Sequence, residues 1–263
     1  MKAYLSKALR EAKQETSWLD PNLAYERACL GFVERILDPR RSRSFLDDMA
    51  GFVRRIAPYG ALNSLGQTAL KLTAPGLADT YQGTELWDLS LVDPDNRRPV
   101  DFAARRQLLG EAKAIAALPP AASLAAWRDL AAAWPDGRIK LQLTLALISL
   151  RRQLPAIYTQ GDYRALRVRG PAAGHVAAFG RRSGKQQLIV AIGRLFYTLQ
   201  AAASDRLHRP AVWRGTTLHP AVKPGTILTD ALTGRTVALE RHGHLDLSRL
   251  FDPLPIAVLT VQS

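Results

Sequence analysis

Apolar residues in the first half of the chain recur at helical spacing. Asp20-Pro21 is typical of a helix start, because a capping carboxylate precedes a proline in the first turn. The stripe that follows predicts a helix ending at Asp38-Pro39, and a second stripe after Ser44 predicts another. The stripes are Tyr25, Cys29, Phe32, Val33, Ile36 and Leu37, and then Phe45, Met49, Phe52, Val53 and Ile56. Further helices are predicted over 62–72, 102–118, 123–134 and 138–153.

The pattern changes after Pro155. Short apolar runs there alternate with Gly, Pro and Asp, which favours an antiparallel sandwich or barrel. We therefore predict a helical region over 1–155 and a β-domain over 156–263. One more strand is predicted earlier, at 79–82, before a long polar loop. The strands predicted in the β-domain are 176–179, 188–192, 211–213, 227–228, 237–239 and 256–261.

Composition restricts the class of protein. Of 263 residues, 47% are hydrophobic and 22% are charged, which is enough apolar material for a buried core. The formal net charge of +13 raises the question of nucleic acid. However, the basic residues of 163–204 are scattered singly through predicted strands, and 74–101 holds six acids. A phosphate-tracking surface needs clustered cations, so we predict no nucleic-acid partner.

The chain carries no pattern typical of a membrane or secreted protein. Its longest apolar stretch, 141–150, is shorter than the roughly 20 residues of a bilayer span. Charged residues interrupt the N-terminal segment where a signal peptide would be apolar. The single cysteine, Cys29, suits a reducing compartment, so we predict a cytoplasmic protein without membrane contact. The pair His242 and His244 lacks a third ligand at suitable spacing, so no metal site is predicted.

Residues 75–101 carry the strongest chemical signal. The segment is acidic and aromatic yet contains the adjacent arginines Arg97 and Arg98. Carboxylates, amides and guanidinium forks hydrogen-bond sugar hydroxyls, and the rings of Tyr81 and Trp87 offer flat faces for pyranose rings. The alternative is structural. In that interpretation the two arginines pair with the nearby Asp93, Asp95 and Asp101 only to hold an irregular loop in shape.

The same segment contains recognisable strings. Tyr81-Gln82-Gly83-Thr84-Glu85-Leu86-Trp87 and Asp93-Pro94-Asp95-Asn96-Arg97-Arg98-Pro99-Val100-Asp101 closely resemble the last barrel strand and following loop of the maltooligosyltrehalose synthases. These enzymes belong to the α-amylase superfamily. Ala78 and Thr80 depart from the family pattern, which affects only local strand packing. Further matching strings lie at 7–13, 16–18, 21–22, 63–68, 70–76, 140–141, 150–152, 161–163 and 230–234.

The resemblance implies a fold and a function. The fold is α+β, in which a helical region with the last βα unit of a (β/α)8 barrel precedes a C-terminal antiparallel β-sandwich domain. The reaction is an isomerisation that converts the reducing-end α-1,4 linkage of maltooligosaccharides into an α,α-1,1 linkage by intramolecular transglycosylation. The resemblance further implies that seven residues line the glucose end, namely Tyr81, Gln82, Glu85, Asp93, Asn96, Arg97 and Arg98.

The catalytic residues are expected outside this chain. A retaining mechanism uses two carboxylates about 5–5.5 Å apart. In the family they precede the segment that matches 7–13, so we assign no catalytic residue here and expect the chain alone to be inactive. No cofactor is implied. The expected partners are a maltooligosaccharide or α-1,4-glucan and, as a separate chain, the N-terminal barrel portion. The alternative is a non-catalytic carbohydrate-binding or subunit-completing module.

Overall fold

A computed structural model describes residues 1–93, 95–199, 207–223, 225–239 and 243–261. Helices occupy the first part of the chain, and strands follow. The helices are α1 Lys2–Ala12, α2 Leu23–Ile36, α3 Arg43–Thr73, α4 Phe102–Ala116, α5 Pro120–Ala132, α6 Arg138–Gln153, α7 Pro155–Gln160, α8 Phe196–Leu199 and α9 Leu247–Leu250. The strands are β1 Arg164–Ala165, β2 Arg167–Arg169, β3 Val176–Ser183, β4 Gln186–Gly193, β5 Thr217–His219, β6 Ile227–Asp230, β7 Thr236–Ala238, β8 Leu245–Asp246 and β9 Ile256–Val261.

The chain divides into two compact units. The first unit comprises Met1–Ala57 and Asp88–Val100, and the second comprises Pro58–Trp87 and Asp101–Ser263. Both units contain part of α3. The division at residue 155 that the sequence favours stays a prediction. Within the described residues, no helix is long and apolar enough to cross a membrane.

The first unit is held together by polar contacts. The cap of α2 is Asn22, whose side-chain oxygen accepts a hydrogen bond from the Tyr25 backbone N–H at 3.1 Å, rather than the predicted Asp20. The Glu26 carboxylate accepts two hydrogen bonds of 2.8 Å from Arg10 and one of 2.7 Å from the Thr16 hydroxyl. These bonds lower the pKa of Glu26 to about 2. Thr16 and Glu26 are the buried residues of this unit, and its described part buries no hydrophobic side chain.

Two predicted helices form one. The structure joins the stripe after Ser44 and the helix predicted at 62–72 in the single helix α3, which contains Pro58. Proline removes one backbone hydrogen bond inside a helix, and this helix continues through the defect. Its C-terminal half buries Leu62, Leu65 and Leu72 in the core of the second unit. The packing of this C-terminal half outweighs the free-energy cost of the lost hydrogen bond at Pro58. The local sequence does not show this packing, so it predicted two helices.

The strands form antiparallel sheets, as predicted. One sheet has the order β1-β3-β4-β9-β6-β7, and a three-stranded sheet has the order β2-β5-β8. All pairings between described strands are antiparallel. The predicted strands at 176–179, 188–192, 227–228 and 256–261 lie within β3, β4, β6 and β9. The strand predicted at 211–213 is wrong, because this segment is a short 3-10 helix that begins at Pro210.

The core of the second unit is continuous from its helices to its strands. Leu143 and Leu147 of α6 and Ile189 of β4 are fully buried in one cluster. The indole of Trp213 packs edge-on against Phe251, with ring centroids 4.9 Å apart. Of the apolar run 211–213, which has no strand partner, Trp213 is the residue that this packing buries.

At Gly170 the backbone passes close to the backbone of Gly215 and Thr216. Its φ is +114°, and a Cβ there would lie 2.2 Å from the Gly215 carbonyl oxygen and 2.7 Å from Thr216 Cα. We expect Gly170→Ala to lower the free energy of unfolding by about 2–4 kcal/mol, because both the dihedral and the contact are unfavourable. Gly174→Ala is the control, since a Cβ there meets nothing within 4 Å. Urea unfolding of both variants measures the difference, and equal losses would contradict the expectation.

Candidate functional site

The segment that leads into the predicted sugar-binding loop is not a strand. Residues 77–81 have no β-ladder, and 82–85 form a turn, so the strand predicted at 79–82 is wrong. A parallel strand requires a hydrogen-bonded neighbour, and every pairing between described strands is antiparallel and lies after residue 163. The turn is closed by Thr84, whose hydroxyl donates to the Tyr81 carbonyl oxygen at 2.7 Å. Side-chain contacts rather than a sheet hold this segment.

Arg105 of α4 fixes the turn from one side. Its guanidinium donates to the Gly83 carbonyl oxygen at 2.9 Å and to the Glu85 carboxylate at 3.2 Å. Lys140 of α6 donates to the Leu86 carbonyl oxygen at 3.2 Å. Two cations therefore anchor the turn to two helices of the second unit. Glu85 is held in an ion pair by this arrangement.

A polar pocket lies between this turn, α3 and α6. Its volume is about 280 Å³, close to the lower end of the range for ligand sites. Most of its lining residues carry a hydroxyl, amide or ammonium group, and Lys71 Nζ donates to the Thr80 hydroxyl at 3.2 Å. The lining residues are Ser64, Gln67, Thr68, Lys71, Leu72, Thr80, Tyr81, Thr84, Glu85, Lys140 and Thr144.

The pocket can bind a polyol, but only one carboxylate lines it, whereas glycoside chemistry usually needs two. Hydroxyls and an amide both donate and accept hydrogen bonds, which matches the hydroxyls of a sugar. Tyr81 is 49% exposed, so its ring is available to a ligand. Glu85 is the single carboxylate among the lining residues, and Arg105 already binds it. Glycoside chemistry by the usual two-carboxylate route requires a second acid.

The predicted site residues fall in both units. Tyr81 and Glu85 line the pocket, and Gln82 lies beside them in the exposed turn without contributing to the lining. Asp93, Asn96, Arg97 and Arg98 belong to the first unit. The two groups are therefore described separately.

The two adjacent arginines in the first unit pair with acids of their own loop, and Lys7 of α1 also contacts Asp93 at 3.2 Å. Arg97 forms an ion pair with Asp93, and Arg98 forms one with Asp95, whose carboxylate also accepts from the Leu91 backbone N–H at 2.7 Å. These are the pairs of the structural alternative, except that Asp101 instead caps α4 by accepting from Ala104 N–H at 2.9 Å. The guanidiniums are about three-quarters exposed, at 72% and 73%. Their role in sugar binding stays a prediction.

Trp87 is partly buried and takes part in packing, and its use as a sugar platform stays a prediction. Its Nε1 donates to the Trp134 carbonyl oxygen at 2.7 Å, and the two rings meet edge to face. The Lys140 ammonium lies 5.8 Å from the Trp87 ring centroid. The indole therefore serves packing in the second unit. His242, considered as a metal ligand, lies outside the described residues, and the described part of the chain holds no cluster of three metal-ligating side chains.

Sequence reasoning missed the helical wall of the pocket. Gln67, Thr68 and Lys71 on α3 and Lys140 on α6 were not among the candidate residues, although they line it. Each lies in a string that resembles the synthases, at 63–68, 70–76 or 140–141, so that resemblance was the available signal. Nothing in helical periodicity separates a polar residue facing a pocket from one facing water.

Comparisons with known proteins agree in sequence and in structure. No family model matches the chain. A putative maltooligosyl trehalose synthase of Mycobacterium tuberculosis is 34% identical over 256 residues, which is 97% of this chain and 27% of the relative. The solved maltooligosyltrehalose synthase of Arthrobacter ramosus is 32% identical with a TM-score of 0.74, covering 99% of this chain and 30% of that one. Another solved maltooligosyl trehalose synthase is 28% identical with a TM-score of 0.68 and the same coverage.

The fold of this chain is thus shared with part of the maltooligosyltrehalose synthases. The chain is homologous to the C-terminal portion of the maltooligosyltrehalose synthases. It spans 27% to 30% of the length of these relatives.

Proposed function

We propose that this chain is the C-terminal part of an isomerase that converts the reducing-end α-1,4 linkage of maltooligosaccharides into an α,α-1,1 linkage. The observation that carries the proposal is that the synthase-like string at 81–87 and the strings on α3 and α6 meet in one polar pocket. In this proposal the pocket is one side of the glucose site. The nucleophile and general acid lie outside residues 1–263, and the reaction is an intramolecular transglycosylation.

The finer architecture is part of the same proposal. The segment 77–81 and the following turn correspond to the last βα unit of a (β/α)8 barrel whose other strands are not among the described residues. Such a strand can form its ladder only when the neighbouring barrel strands are present. The sheets β1-β3-β4-β9-β6-β7 and β2-β5-β8 form the C-terminal β-sandwich.

A partly exposed apolar stripe on α3 supports a polypeptide partner. On the first-unit part of α3, Phe45, Met49, Phe52, Val53 and Ile56 share one helical face and are 38% to 46% exposed. A helical unit with no buried hydrophobic side chain in its described part cannot be stabilised by a core of its own. We assign this stripe to contact with the N-terminal barrel portion, because the relatives are more than three times longer than this chain.

Binding of maltohexaose tests the pocket itself. The chain should bind this ligand weakly, since a half-site buries only part of it. We expect Tyr81→Ala to weaken binding about fivefold, the usual contribution of an aromatic face. Tyr163→Ala is the control, because Tyr163 is 57% exposed and lies outside the pocket lining. Chemical-shift titration measures both, and equal affinities of the two variants would place the ligand elsewhere.

The alternative is a non-catalytic carbohydrate-binding or subunit-completing module. It is favoured by the single carboxylate among the residues that line the pocket. A module would bind maltohexaose tightly by itself and would gain no activity from an added barrel portion. The isomerase part would bind weakly and would gain activity.

A further inference from the structure

A second groove lies where the two sheets meet. β1 pairs with β3 in one sheet and β2 pairs with β5 in the other, and only Leu166 separates β1 from β2. The groove has a volume of about 470 Å³, within the range of small-molecule sites. Arg164, Arg167, Arg169 and His219 line it. It shares no lining residue with the polar pocket proposed for the glucan.

Strand register explains why the arginines converge. Arg167 lies opposite His219 and Arg169 lies opposite Thr217 in the β2–β5 ladder. Because side chains alternate across a strand, Arg167 and Arg169 share one face. The other face carries Val168 opposite Leu218, which is fully buried. The apolar side of this small sheet therefore anchors it in the core while its basic side faces the groove.

The three guanidiniums form no ion pair within the described residues. Arg164, Arg167 and Arg169 make no side-chain hydrogen bond or ion pair there. By contrast, Arg105, Arg128 and Arg138 of the same unit each pair with a carboxylate. The region 163–204 holds seven Lys or Arg and no acid, so the imbalance begins in the sequence.

One acidic residue lies on the same face of this sheet, but its carboxylate already accepts hydrogen bonds elsewhere. Asp246 of β8 lies opposite Thr217 and so shares the basic face. Its Oδ1 accepts from the Ser248 backbone N–H and from the Ser248 hydroxyl, both at 2.7 Å, as the cap of α9. This carboxylate therefore has a structural role of its own.

His219 experiences the resulting positive field. Its ring lies 5.7 Å from that of His244, and its Nε2 lies 3.1 Å from the Thr217 hydroxyl. Burial lowers the pKa of His219, and the positive charges of Arg169, His244 and Arg167 lower it further. The groove thus repels an added proton and attracts an anion.

We propose that Arg164, Arg167, Arg169 and His219 form a binding site for the phosphate group of a small phosphorylated molecule. Guanidinium forks match phosphate oxygens bidentately. A phosphate ester carries about −1.5 to −2 charge and three acceptor oxygens, which suits three arginines better than a single carboxylate does. The groove, not an extended stripe, holds these cations, which favours a small ligand over a nucleic-acid backbone. The site stands independently of the isomerase proposal.

Calorimetric titration with inorganic pyrophosphate in low salt tests the site. The intact chain should bind it, and Arg167→Gln with Arg169→Gln should raise the Kd about 30-fold or more, because two charge-assisted contacts are lost. The matched control is Arg106→Gln with Arg152→Gln. Both control arginines are exposed, lack a described partner and lie outside the groove, and the net charge changes equally. We expect its Kd to change less than about threefold.

Two further measurements keep the proposal falsifiable if the double variant folds poorly. Pyrophosphate should slow hydrogen exchange at 164–169 and 217–219 of the unmodified chain, and a fluorescent oligonucleotide should bind no more tightly than pyrophosphate. Absence of binding at about 5 mM pyrophosphate would overturn the proposal. If the control variant lost as much affinity for pyrophosphate, the effect would be one of overall charge, and the proposal would also be overturned. Tight oligonucleotide binding that pyrophosphate does not displace would instead identify a nucleic-acid surface.

Discussion

The purified chain incubated with maltohexaose is expected to form no non-reducing product. Nucleophile, general acid and supporting acid act as a unit, and loss of such a set forfeits orders of magnitude in rate. We expect a rate at least about 1,000-fold below that of the complete Arthrobacter ramosus enzyme assayed in parallel. Loss of reducing ends, followed over days, measures the reaction.

The same prediction implies that adding the missing part of the enzyme should restore transglycosylation. The part of the Arthrobacter ramosus enzyme outside the matched region should restore product formation when it is expressed separately and mixed with this chain. Turnover by the pure chain would contradict the assignment of the catalytic acids. The variant Glu85→Gln would then show whether the pocket is responsible for that turnover, because it removes the single carboxylate among the lining residues. Loss of turnover in that variant would place the chemistry within residues 1–263.

A change in the α3 stripe should abolish restoration without harming the chain itself. Phe52 is 46% exposed and is not part of the buried core, so Phe52→Ser leaves that core intact in the isolated chain. In the mixed enzyme the same ring would be buried at the contact. Truncation of a buried aromatic at an interface commonly costs 2 kcal/mol or more, so we expect restored activity at limiting concentration to fall about 30-fold.

Phe102→Ser supplies the matched control for that variant. Phe102 is 50% exposed at the start of α4 and does not belong to the stripe. We expect its restored activity to fall less than about twofold, and both variants to keep the free energy of unfolding of the parent within about 0.5 kcal/mol. Equal effects of the two substitutions on restoration would show that the stripe is not the contact.

Regular elements with long periodic patterns were predictable from the sequence. The helices predicted at 102–118 and 138–153 correspond to α4 and α6, and the apolar runs at 188–192 and 256–261 lie in paired strands. The predictions that were wrong concern segments whose state depends on a neighbour. Residues 211–213 form a 3-10 helix that buries Trp213, and 79–82 has no partner strand within the described residues. The local pattern of apolar and polar residues does not show whether a partner strand is present.

The candidate site divides in the same way. Tyr81 and Glu85 were predictable because they lie in a family-specific string, and the structure places both at the pocket. The pairing of Arg97 with Asp93 was foreseen as the structural alternative. Arg105, which holds both Glu85 and Gly83, was not foreseen, because it lies about twenty positions along the chain on another helix. Its role depends on how α4 packs.

The sequence by itself determined the family resemblance, the helical first part and the antiparallel strands, because these depend on strings and periodicities within short windows. Tertiary structure alone decided which polar residues meet. It brings Gln67 and Lys71 of α3 to Tyr81, and it gathers Arg164, Arg167 and Arg169, which look evenly scattered along the chain, around one groove. The physical reason is that strand register and helix packing set side-chain proximity over distances in sequence that no local pattern spans.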